Sequence, residues 1–323
     1  MHKTLNFIKN MIRCDGGNYM APVSVNVNRL TTAATSYINR RELSTPRIQG
    51  VLFSRDRAFQ LDALLGSVAE KVKGLDKLTV IYYPSTEQHG SAYEQVFRRY
   101  ADTVIPVRQG PGVDLKSLVI ETLEKMPNEQ VFFLVDDNFF IEDVDIQGFA
   151  RLASPYSIPS LRMGENINYS YTLDCDQQKP NLTEFSVNFT AALRAWQWGC
   201  GVFDWGYPLS LDGHFFQRYE ILAMTEAVDF DAPNHYEDQL QKFIELYQPR
   251  LGICFVKSVL LNLPFNRVQN DIPNRHGIVH QDDLLNLWNE GYELDRDAYY
   301  GVVNISAHQE LPLKVRKRGR CDA

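Results

Sequence analysis

VFFLVDDN, residues 131–138, is an apolar run that ends in two aspartates and an asparagine. Five consecutive apolar residues describe a strand buried on both faces, the texture of a parallel sheet. Upstream, GVLFS (50–54), LTVIYY (78–83) and TVIPV (103–107) have the same character, so strand starts recur at intervals of roughly 25–28 residues, about one βαβ unit. Helical stripes fill the intervals. Leu61, Leu64, Leu65, Val68 and Val72 share one helical face; Tyr93, Val96, Phe97 and Tyr100 share another; Leu115, Leu118, Val119, Leu123 and Met126 form the third. The pattern predicts an α/β fold, a Rossmann-like and mostly parallel sheet flanked by helices on both faces.

Past residue 150 the alternation stops. AWQWGCGVFDWGYPLSLDGHFF (195–216) is rich in aromatic residues and glycine, a composition suited to a binding surface as well as to core. A helix is expected over about 237–248, then the β-rich LGICFVKSVLLNLPF (251–265), a polar loop through Asn274–His280, and a helix over about 282–290 closed by Gly291. Residues 1–48 lack a sustained period and read as an N-terminal extension; 49–310 reads as one domain with halves 49–150 and 151–310, followed by a basic tail, 311–323. The 323 residues, 44% hydrophobic, provide ample core for this plan.

A net charge of −7 argues against a nucleic-acid partner, which needs a basic surface. No apolar run is long enough for a membrane span, and MHKTLNFIKNMIR lacks a secretory core, so the expected compartment is the cytoplasm. Cys14, Cys175, Cys200, Cys254 and Cys321 are odd in number and widely spaced, and they read as free thiols. The run KVRKRGR (314–320) has the charge to touch anionic lipid at the inner face of a membrane, or to be a solvated end.

Ligands of open parallel sheets bind at the carboxyl ends of the strands. Ser54-Arg55-Asp56-Arg57 follows the first strand and Asp136-Asp137-Asn138 the fourth, while neither GxGxxG nor GxxxxGK[ST] occurs. Adjacent carboxylates there suit a hard cation, Mn2+ or Mg2+, bridging a diphosphate; equally, Asp and Asn favour the turn that ends a strand. Lys116, at a helix start after GPGVD, is placed to meet phosphate or simply to face solvent. Glu237 and Asp238 are candidates for a general base, with helix-dipole stabilisation as the alternative. Trp196, Trp198, Trp205 and Tyr207 suit stacking on sugar faces, or core; Asp212-Gly213 suits a tight turn as well as a site.

FFLVDDNFFIEDV resembles the acidic DxD region of GT-A fold glycosyltransferases, as in exostosin-like hexosaminyltransferases and processive-synthase-like enzymes. VLFSRDRAFQLDALLGSV is similar to the opening of those families, LDGHFFQRYEIL (211–222) to their Gly-Gly-x-x-x-x-Arg-Arg segment, and NHYEDQL (234–240) to their Glu-Asp-x-x-Leu segment. The pieces stand in the expected order over roughly residues 49–245. The resemblance implies a GT-A-like nucleotide-sugar half, 49–150, and an acceptor half, 151–310. It implies Ser54, Arg55 and Arg57 near the nucleobase and ribose, and Asp136 near the ribose or diphosphate. Asp137, Asn138 and, by position, His276 would hold the metal; Asp238, with Glu237, would be the base; Asp212 would meet the acceptor, beside the stacking surface that the composition offers in Trp196, Trp198, Trp205 and Tyr207. The implied partners are a nucleoside-diphosphate sugar and a glycan or glycolipid. Asn138 departs from the family, whose third position is an Asp: an amide ligates a hard cation without contributing charge. A sugar nucleotidyltransferase and a non-catalytic nucleotide- or glycan-binding protein of the same fold are the alternatives.

Overall fold

The first strand, β1 (Ile48–Arg55), sends alternate side chains to opposite faces of its sheet, Leu52 to one core and Val51 and Phe53 to the other. The structure, a computed structural model, describes residues 27–40, 47–187, 189, 191–266, 277 and 279–319. After β1 come α2 (Ala58–Lys71), β2 (Leu75–Tyr83), α3 (Glu87–Arg99), β3 (Val104–Arg108), α4 (Leu115–Lys125) and β4 (Gln130–Val135), with a helix α1 (Val27–Arg40) ahead of them. Strand β4 repeats the division of β1: Phe132 and Leu134 join the core under α2 and α3, and Val131 and Phe133 the core under α4. Helix α3 starts from Thr86, whose side chain accepts from His89 N, and α4 from Asp114, which accepts from Lys116 N and Ser117 N.

Downstream lie β5 (Asn138–Phe140), β6 (Ser157–Pro159), β7 (Thr183–Phe185), β8 (Leu193–Gln197), β9 (Phe215–Gln217), α5 (Arg218–Ala227), α6 (Pro233–Leu240), β10 (Leu251–Phe255), β11 (Leu260–Asn262), α7 (Gln281–Asn289), β12 (Tyr292–Leu294) and β13 (Val315–Lys317). The main sheet has the order β9-β4-β1-β2-β3, with β4, β1, β2 and β3 parallel and β9 antiparallel to β4. The chain moves outward from β1 through β2 to β3, then returns to the other side of β1 for β4. Strand order therefore reverses between β1 and β4, the switch point at which a crevice opens in α/β sheets. A second sheet, β7-β8-β10-β6, carries the aromatic half, and β5 pairs with β11 beyond the end of β4.

Three expectations change. The stretch 1–48 contains α1, whose Leu30, Ala34 and Ile38 at spacing i, i+4, i+8 pack on the core. The helix expected over 237–248 begins at Pro233 and gives way to a tighter turn at Gln241–Phe243, so Glu237 and Asp238 lie beyond its first turn. The basic tail is not a free end: β13 pairs with β12, Arg316 bonds to Glu293 at 2.9 Å and Asp297 at 2.8 Å, and Arg318 stacks 3.8 Å over Trp288. Lys314, just before this strand, and Lys317 on it remain exposed; Arg320 lies outside the described residues. No described helix is long and apolar enough to cross a membrane.

The tryptophans also move from site to core. Trp196, Trp198 and Trp205 are fully buried, with edge-to-face ring contacts at 4.6 and 4.9 Å, and Trp196 Nε1 donates to Trp205 O. Enclosed on all sides, they have no face to offer a sugar. Gly252 on β10 exists because of them: a Cβ there would lie 2.3 Å from the Trp196 ring. The Gly252→Ala variant is expected to lose about 1–3 kcal/mol to overpacking, read as a lower urea midpoint at unchanged m-value.

Candidate active site at the ends of two parallel strands

Beyond Arg55 the chain takes a left-handed turn at Asp56, φ 54°, a conformation aspartate tolerates, and the turn is tied down by Ser85 N donating to Asp56 Oδ1 at 2.7 Å. That turn folds Arg57 back across the end of β4. Its Nη1 lies 2.9 Å from Asp136 Oδ1 and 3.0 Å from Asp137 Oδ2, and its Nη2 donates to Asn266 O at 2.6 Å. Asp136 Oδ2 accepts from Ser54 Oγ at 2.8 Å and from Arg55 N at 3.1 Å, and Ser54 Oγ shares a 2.6 Å hydrogen bond with Tyr93 OH. Asn262 Nδ2, at the end of β11, donates to Asp137 Oδ1 at 2.8 Å. Ser54, Arg57, Asp136 and Asp137 thus form one cluster at the switch point. Arg55 turns the other way, its exposed guanidinium 5.3 Å from the centre of the Tyr83 ring.

Burial sets the electrostatics. It pushes the Asp136 carboxyl up to about 6 despite the pull of Arg57, whose own charge is held above its ordinary value because the two carboxylates outweigh its burial. Tyr93, buried and beside Asp136, is held neutral well above the ordinary phenol range.

A second network lies against the first. Asn138 Oδ1 accepts from Val135 N at 3.0 Å and its Nδ2 donates to Asp212 Oδ1. Asp212 Oδ2 lies 3.3 Å from both Arg162 Nη1 and His308 Nε2, and Arg162 Nη2 lies 3.4 Å from Asp204. Gly213, φ +75°, carries the chain on so that its N–H reaches Phe133 O at 2.9 Å. Glu237 accepts from Leu211 N at 2.8 Å and pairs with the Tyr207 hydroxyl, so it anchors the 207–211 loop to α6; burial raises its pKa. Asp238, next on the helix, points about 100° away from it and is half-buried.

Several expected roles do not fit these positions. Asn138 is buried with both ends of its amide engaged, so it serves as a tie between β4 and Asp212 rather than as a metal ligand. Asp212 is equally enclosed and has no face toward an acceptor. Lys116 Nζ pairs with Asp229 at 3.1 Å, and Asp114 already caps its helix, so neither group is turned to the cluster. His276 lies outside the described residues. Among the described residues no group of three or more His, Cys, Asp or Glu side chains is disposed to hold a metal. Every carboxylate oxygen of Asp136 and Asp137 already accepts from the protein, and a guanidinium stands between them. These residues do not fit Mn2+ or Mg2+ bound to the pair.

Tyr93, Arg162, Asn262, Asn266 and His308 complete the networks without having been expected there. Asn262 carries a sequence signal, a polar residue after the apolar VLL of 259–261, the same cue that marks Asp136. Tyr93 is legible only as part of the α3 stripe, and its hydroxyl end reaches the site because α3 packs beside β1. Arg162 and His308 lie outside any pattern.

No family model matches the sequence, and no curated protein matches it. Among solved structures, the chain is similar to 4-diphosphocytidyl-2C-methyl-D-erythritol synthase from Anaerococcus prevotii, at 12% identity and a TM-score of 0.40 over 76% of this chain and 97% of that one. It is similar to GalNAc-T7 with UDP, GalNAc and Mn2+ at 10% identity and 0.43, over 75% and 49%. A mannosyltransferase from Pyrobaculum calidifontis in complex with GDP-Man and Mn2+ is similar at 16% identity and 0.30, over 45% and 52%. Likeness this distant leaves the fold to be read from the strand order and the site from its own residues.

His214, two residues after Asp212, yields a test of the buried network. It is fully enclosed, Nδ1 lies 3.0 Å from Pro208 O, and burial, aided by Arg162, lowers its pKa from 6.5 to about 3. The unfolded chain takes up a proton here near pH 6.5 while the folded chain does not, so this contribution to stability is intact above pH 6.5 and is lost as pH falls toward 3. Between pH 7 and pH 5, wild type is expected to lose about 2 kcal/mol relative to His214→Asn, which keeps a donor for Pro208 O. Urea unfolding of both proteins at the two pH values measures the difference; a pH-independent difference contradicts the assignment.

Proposed function

We propose that the chain is a transferase acting on a nucleoside-diphosphate sugar, moving the sugar to a hydroxyl of a glycan or glycolipid with inversion at the anomeric carbon. The observation that carries this reading is the meeting of Ser54–Arg57 and Asp136–Asp137 where strand order reverses between β1 and β4. The order of the GT-A-like segments over 49–245 supports it, as does the absence of glycine from Ser54–Arg57, which disfavours the glycine-rich loop of a sugar nucleotidyltransferase.

In this reading Arg55, exposed beside Tyr83, and Ser54 meet the nucleoside, and the cluster behind them orients the diphosphate. Asp238 accepts the proton of the acceptor hydroxyl as that oxygen bonds to the anomeric carbon. The bond from carbon to the diphosphate oxygen breaks on the opposite face, its electrons leaving with the nucleoside diphosphate. Glu237 holds the helix and loop in place for this step, because its carboxylate is committed to Leu211 N and Tyr207.

A second reading, a nucleotide- or glycan-binding protein without catalysis, draws on the closure of the acidic triplet upon itself, with Asn138 turned to Asp212. Asp238→Asn separates the two. For a transferase, it lowers transfer by about 10²–10⁴-fold at unchanged thermal stability, and Asp137→Asn lowers it as well. Transfer at the wild-type rate by both variants removes the assigned roles. Nucleotide binding with no turnover over a panel of acceptors favours the second reading.

A further inference from the structure

Arg57 occupies the position that a cation would take between two adjacent carboxylates. Its side chain is about nine-tenths buried, one nitrogen bridges Asp136 and Asp137 at 2.9 and 3.0 Å, and the second is fixed by Asn266 O. The cavity beside the pair, lined by Gln60, Asp136, Asp137 and Phe139 among others, is about 10 Å3, room for about one water. Two buried donors of the cluster, Arg57 Nε and Asn266 Nδ2, lack hydrogen-bond partners among the described residues. Both are enclosed, which leaves the guanidinium committed to its protein partners.

We infer that Arg57 stands in for the divalent cation at this site: it neutralises Asp136 and Asp137 permanently, so that the pair holds no metal. The exclusion of metal from the pair does not rest on the transferase reading. Bridged by a fixed positive charge, the carboxylates could bind Mn2+ only by sharing their oxygens with the guanidinium or displacing it. Removing the guanidinium leaves two uncompensated acids side by side, the arrangement a hard cation binds.

Mn2+ titration of the full chain, followed by electron paramagnetic resonance at pH 8, tests this directly. Wild type and Arg57→Lys, which keeps the charge, are expected to bind no Mn2+ tighter than roughly 1 mM, whereas Arg57→Gln gains one site at least about tenfold tighter. That site is expected to vanish in the Arg57→Gln, Asp137→Asn double variant. A Mn2+ site in wild type that Asp137→Asn removes overturns the inference, and so does a folded Arg57→Gln protein that gains none. If circular dichroism shows that Arg57→Gln does not fold, the wild-type and Arg57→Lys titrations decide. Calorimetry with UDP, GDP and dTDP supplies the second arm: one diphosphate is expected to bind wild type equally in Mn2+ and in EDTA. Binding that requires Mn2+ overturns the role of Arg57. Failure of all three to bind under either condition removes the transferase reading and leaves the exclusion of metal to the Mn2+ titration.

Discussion

The buried bridge from Arg57 to Asp136 and Asp137 ties the end of β1 to the end of β4, the two strands between which the sheet changes direction. Placing three ionised groups out of water costs more than their mutual attraction returns unless further hydrogen bonds compensate. Here they do: Ser54 and Arg55 N serve Asp136, Asn262 serves Asp137, and Asn266 O receives the other arm of the arginine. Those partners come from β1, the end of β11 and the segment after it, so the bridge holds distant parts of the chain in one place. The left-handed turn at Asp56 is the local strain that makes the return of Arg57 geometrically attainable.

The aromatic half follows from the need to cover the other face of the same sheet. Val51, Phe53, Val131 and Phe133 point into a core that α4, α5 and α6 alone do not describe; Trp196, Trp198 and Trp205 join it. Trp196 and Trp205 each donate to a backbone carbonyl, and loop carbonyls are available for this where sheet carbonyls are already paired. Packing of the 207–214 segment on this core brings Asp212 against Asn138 and Glu237 against Leu211, which carries the loop to the rim of the switch point.

Periodicity made the main sheet legible. Each of its parallel strands is a short apolar run and each intervening helix an amphipathic stripe; burial on both faces explains the run in β4, whereas the edge strand β3 keeps the pattern with Ile105 exposed. Helix α1 carries its own spacing, Leu30, Ala34 and Ile38, but its polar neighbours dilute the signal. The meeting of polar segments at the ends of β1 and β4 was legible because a parallel sheet leaves polar groups at its carboxyl edge. The tryptophans could not be assigned from composition, since an indole suits a sugar face and a core equally well. Only the fully enclosed positions of the three rings decide between them.

From the chain alone follow the strand and helix sequence, the α/β class and the two polar segments that face each other, because these depend on local spacing of apolar residues. The partners of those segments depend on contacts across 79 and 80 residues in the Arg57 bridge, 125 between Asn262 and Asp137, and 74 between Asn138 and Asp212. No local pattern encodes such distances. An aspartate at a strand end reads the same whether it faces a cation, a turn or an arginine, and tertiary packing alone determined that Asp136 and Asp137 face Arg57.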